Sequence, residues 1–121
     1  MDLQQLQNMG GFVPQAPEVR EISWTREGPD GEPVTDTFTV RVRKLSAGTI
    51  ERMWSDAGKQ PNRSYTATLI SEAILLGDEG TERITYESAF NLDPGLAEVL
   101  LEDAVHAVNP LNRRKGTAAK N

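Results

Sequence analysis

"TFTVRVRKLSAGTIERMWSDAG", residues 37–58, changes its apolar period from two to about 3.6 within a few residues. Phe38, Val40 and Val42 alternate with Thr37, Thr39, Arg41 and Arg43, which gives an extended strand one apolar and one polar side. Beyond Lys44-Leu45, Ser46 can accept a hydrogen bond from an early helical amide. Ile50, Met53, Trp54 and Ala57 then recur at helical spacing until Gly58 stops the run. The stretch predicts a strand feeding an amphipathic helix, with Trp54 in the core rather than serving as an exposed anchor for a partner.

Upstream, apolar residues alternate again from Val19 to Trp24, predicting a second strand. Between the strands, Thr25 to Pro33 is dense in Gly, Pro and Asp, the residues that set turn geometry, so an antiparallel hairpin with a long solvated tip is expected. Residues 1–17 read as an appendage, with Leu3, Leu6 and Met9 on one side of a short helix before Gly10-Gly11 and a Pro14 to Pro17 loop.

Downstream, Tyr65, Leu69, Ala73 and Leu76 form a helical stripe flanked by Ile70 and Ile74, although Tyr65 to Leu69 would also pass as a strand start, and Gly77-Asp78-Glu79-Gly80 breaks the chain. Thr85 can cap a short helix carrying Tyr86, Ala89 and Phe90. Asp93 caps a final helix with Pro94 at its first position and an apolar face of Leu96, Val99, Leu100, Ala104, Ala107 and Val108, ended by Asn109-Pro110. The expected fold is α+β: an N-terminal antiparallel β-hairpin followed by three to four α-helices packed on one sheet face. Residues 1–17 are expected to be flexible, 18–111 to form a single domain, and 112–121 to be a disordered basic tail.

At 121 residues the chain has length for one domain, and its 37% hydrophobic content predicts a modest core. It has no cysteine, which removes disulfides and thiolate chemistry. No stretch approaches the ~20 apolar residues of a membrane helix, and no secretory signal opens the chain. The net charge of −5 is unevenly spread: Arg113, Arg114, Lys115 and Lys120 lie in the last ten residues, leaving 9 basic against 18 acidic residues in the body. So acidic a body disfavours nucleic acid and favours protein partners. The basic tail complements the dipole at the preceding helix end and is a candidate partner-binding segment.

His106 is the single histidine, with Glu102 and Asp103 four and three residues before it. The trio resembles one arm of a carboxylate di-metal site, but the second histidine arm such sites need is missing from the chain. The expected role of Glu102 and His106 is a surface pair near a helix end. No nucleophile elbow surrounds Ser64, Ser71 or Ser88, no glycine pattern suits a phosphate, and Asp78, Glu79 and Glu82 lack calcium-loop spacing. No catalytic, cofactor-binding or metal-binding residue is expected, and the chain is read as a non-enzyme that acts through its surface.

The stretch at 37–58, followed by "TLISEAILLGDEGTERITYESAFNLDPGLAEVLLEDAVHAVN" at 68–109, resembles the tail assembly chaperones of long-tailed, siphovirus-type bacteriophages in their short, non-frameshifted form. The resemblance covers about residues 35–121. It implies a protein that binds and solubilises the phage tape measure protein and helps recruit tail tube subunits, with the major tail protein and a frameshifted longer form of itself as further partners. It also implies no catalytic residues, action in the host bacterial cytoplasm and absence from the mature virion. Ala119-Lys120-Asn121 can be encoded as GCA AAA AAC, which contains a slip site for a programmed frameshift. The competing reading is a structural virion tail subunit, such as a tube-end or connector protein.

Overall fold

The two alternating segments pair as expected, and further along the chain than expected. A computed structural model describes residues 1–60 and 62–110. Strand β1 (Glu18–Glu27) runs antiparallel to β2 (Pro33–Val42) in unbroken register from Glu18↔Val42 to Glu27↔Pro33. The long tip predicted for Thr25 to Pro33 is therefore shorter, with only residues 28–32 between the strands. Cross-strand pairing extends the ladder: the Thr25 and Thr35 hydroxyls lie 2.7 Å apart, and Arg26 binds Asp36 at 2.6 Å while stacking on Trp24. Ile22, Val40 and Val42 are buried on one face, whereas Ser23, Thr25, Thr35, Thr37 and Thr39 face solvent on the other.

Before the hairpin, α1 (Leu3–Asn8) is closed by a capping box between Asp2 and Gln5 and buries none of its residues. After it, α2 (Ala47–Ala57) starts at Ser46, whose hydroxyl accepts from Thr49 N. Its Met53 enters the core, while Trp54 is half-buried at the core's edge and stacks on Tyr65 with ring centroids 5.2 Å apart.

The next apolar run departs from a single helix. Helix α3 (Tyr65–Ala73) ends where β3 (Ile74–Leu76) begins, with no intervening loop. An Ile-Leu-Leu run satisfies either period, and long-range pairing decides: Ile74 sits opposite Val42, Leu75 sits opposite Arg41, and Arg43 N donates to Ala73 O at 2.7 Å. The glycine-bounded acidic turn then reverses the chain into β4 (Glu82–Arg83), completing a four-stranded antiparallel sheet in the order β1-β2-β3-β4. Gly77 and Gly80 hold φ of +87° and +67°, and a Cβ at Gly80 would collide with the Arg41 side chain, so this turn requires glycine twice.

Helix α4 (Tyr86–Phe90) follows its Thr85 cap, and α5 (Pro94–Val99) follows Asp93, whose carboxylate accepts from Gly95 and Leu96 amides. The final helix is not uniformly α-helical. It widens into a π-helical stretch (Leu100–Val105) before closing as α6 (His106–Val108). The wider turn spaces inward positions four and five apart, so Leu100, Ala104, Val105 and His106 are buried and Ala107, predicted on the apolar face, is exposed. Asn109 locks the end of this helix to the β2–α2 connection. Its Oδ1 accepts from Leu45 N at 2.7 Å, and its Nδ2 donates to Arg43 O at 3.0 Å and Val105 O at 3.2 Å. The core joins Ile22, Val40 and Val42 of the sheet to Leu69, Ile70, Ala73, Leu100, Ala104 and Val105 of the helices.

Candidate partner-binding groove

Three short stretches, each opened by a polar cap, bring the exposed apolar surface of the helical layer together. Ser64 begins α3 by accepting from Ala67 N, and its own backbone N–H donates to the Tyr86 hydroxyl at 2.7 Å, which fixes the start of α4 against α3. The Arg63 guanidinium lies 4.1 Å from the Tyr86 ring centroid and its Nε donates to Thr68 Oγ1 at 3.2 Å, so the cation is held over the aromatic face. One turn on, Phe90 packs against Tyr86 with centroids 6.1 Å apart yet remains 59% exposed.

Two clefts meet at Phe90. One, of about 550 Å³, is lined by Gln60, Asn62, Arg63, Tyr86, Glu87 and Phe90. The other, of about 390 Å³, runs between α3, α4 and α5 over Ala67, Ala89 and Ala97, with Phe90, Leu92 and Leu101 also lining it. Alanines on three helices leave space where larger residues would have closed the packing. The two clefts share Phe90 and have mixed linings, with aromatic and alanine surface beside charges at Arg63, Glu87 and Glu98.

The residues with chemical potential lie elsewhere. His106 is 4% exposed, so the expectation of a surface pair with Glu102 is corrected for the histidine: the π-helical stretch turns position 106 inward. Glu102 and Asp103 stay on the exposed side, and the Asp103 carbonyl accepts from Arg20 Nε at 3.3 Å. Among the described residues no three His, Asp or Glu side chains converge as a metal site. Ser64 and Ser71 serve backbone hydrogen bonds, and the Ser88 amide donates to Thr85. Arg113, Arg114, Lys115 and Lys120, the candidate partner-binding cations, lie outside the described residues.

In the sequence only the i, i+4 spacing of Tyr86 and Phe90 hints at the groove, because that spacing places them on one side of a helix. Asn109 carries the signal of a helix stop, and nothing in its neighbours foretells a buried amide with three hydrogen bonds.

No curated protein and no solved structure matches the chain. A family model does, and it reaches well upstream of the resemblance drawn from residues 35–121, starting within the leading helix, taking in the whole hairpin and ending at Asn109. Because that model, described as phage tail assembly chaperone, matches residues 4–109, the chain belongs to the phage tail assembly chaperone family.

Proposed function

We propose that the chain binds the tape measure protein of its phage through the Phe90 groove, keeps it soluble and helps recruit tail tube subunits around it. The observation that carries this reading is Phe90 itself, a large apolar side chain 59% exposed at the junction of two clefts in a family of assembly chaperones. A long helical protein exposes apolar stripes until other subunits enclose it. A small protein of net charge −5 that covers such stripes adds both shielding and repulsion between complexes. Arg113, Arg114, Lys115 and Lys120 supply a second, electrostatic contact to an acidic partner surface, and a frameshifted longer form sharing this domain would bring the tube subunit. The protein acts in the host cytoplasm and leaves before the virion is complete. Among the described residues no helix is long and apolar enough to cross a membrane.

Coexpression tests the reading. The soluble yield of the tape measure protein should rise severalfold with the native chain and fall back with Phe90→Ser; no rise with the native chain would overturn it. Mass spectrometry of purified virions separates the chaperone, which should be absent, from a structural tail subunit, which should be present.

A further inference from the structure

β1 is an edge strand of ten residues with one edge paired along its whole length to β2, and no strand among the described residues on the other. Edge strands are commonly shielded by a proline, a bulge, a very short length or charged side chains, and of these β1 has only charges, at Glu18, Arg20, Glu21, Arg26 and Glu27. Those charges are complementary about Ile22, with Glu18 and Arg26 equidistant from it and opposite in sign. We propose that β1 is a self-recognition strand: two copies of the chain pair β1 to β1, antiparallel, about a twofold axis at Ile22, continuing the four-stranded sheet into eight strands.

The register follows from side-chain chemistry. Residues directly opposite one another in an antiparallel pair share a sheet face, so only registers that match even with even positions keep both helical layers on one side. Centred on Ile22, the pairing sets Glu18 opposite Arg26 of the second copy and Arg20 opposite its Trp24, and each pair occurs twice by symmetry. On the outer face Val19 meets Thr25 and Glu21 meets Ser23. Moving the centre one residue to Ser23 sets Arg20 against Arg26, and moving it one residue the other way to Glu21 sets Glu21 against its own copy, so both neighbouring registers oppose like charges.

Two features of the single chain favour the same pairing. Val19 is the large apolar side chain left 56% exposed on the sheet, and Thr25 of a second copy would partly cover it. Arg26 has its Nη1 shielded from solvent without a hydrogen-bond acceptor, although its Nη2 binds Asp36. The Glu18 carboxylate of a second copy would supply an acceptor as the guanidinium turns toward it. Glu18 is available, because its contact to Arg20 within the chain is long, at 3.9 Å, and exposed.

The absence of native cysteine makes the register directly measurable. The full chain should sediment as a dimer whose mass is twice 13.3 kDa at micromolar concentration. On oxidation, a mixture of Glu21→Cys and Ser23→Cys chains should form a disulfide about tenfold faster than Ser23→Cys alone, since only the mixed pair lies directly opposite. Glu18→Arg, at an exposed position, should weaken the dimer about tenfold through two like-charge pairs and leave the circular dichroism spectrum unchanged. A monomer at all concentrations would overturn the proposal. So would a dimer in which Ser23→Cys alone cross-links fastest, or one indifferent to Glu18→Arg.

Discussion

Helices α3 and α4 touch each other, start on hydroxyl caps of the same kind, and treat their apolar side chains in opposite ways. In α3, Ala67, Leu69, Ile70 and Ala73 are buried together with Thr68 and Ser71, whereas α4 buries Ala89 and leaves Phe90 in solvent. Hydrophobicity alone does not separate Leu69 from Phe90. Position does: α3 lies in the middle of the helical layer, with α4, α5 and the π-helical stretch around it, and α4 lies at its rim. The contrast teaches that one helix is committed to the fold while its neighbour leaves apolar surface exposed.

Substitutions can break this contrast. Leu69→Ala should have the largest effect, a loss of about 2–5 kcal/mol of stability from the empty space left in the core, read from the midpoint of a urea titration. Asn109→Ala should follow at about 2–3 kcal/mol, because the Leu45 amide would be left buried without its acceptor as the connection to α6 opens. Hydrogen exchange should show protection lost first around Arg43 to Leu45. Phe90→Ser should change stability by less than about 0.5 kcal/mol, since the side chain is already largely wetted. If Phe90→Ser instead unfolds the protein, Phe90 belongs with Leu69 and the contrast fails.

Where the pattern of apolar residues is local, it is legible in the chain. The hairpin follows from alternation at Val19 to Trp24 and Thr37 to Val42, and α2 from Ser46 and the spacing of Ile50, Met53 and Trp54. Gly28, Pro29 and Gly31 advertise a longer tip than the one that forms, because the pairing of Thr25 with Thr35 and Arg26 with Asp36 is visible only across the strands. The strand at Ile74–Leu76 is not legible in the chain, because a continuous apolar run has no period of its own and Val42 on another strand decides its state. The π-helical stretch inserts extra residues per turn, which a 3.6 period cannot register, so that period puts His106 on the exposed side although it is buried. The groove was the least legible feature. Tyr86 and Phe90 lie on one short helix, but the space beside them exists only once α3, α4 and α5 have packed.

The direct passage from Ala73 into Ile74 has a mechanical meaning. Ile74 is at once the cap of α3, fully buried, and the first residue of a strand. The preceding carbonyl is already held by the Arg43 amide, leaving no slack link where the two elements could swivel. A displacement of α3 is therefore carried directly into the sheet. Bending α3 away from the sheet would require breaking buried contacts at Ile74 rather than flexing a loop.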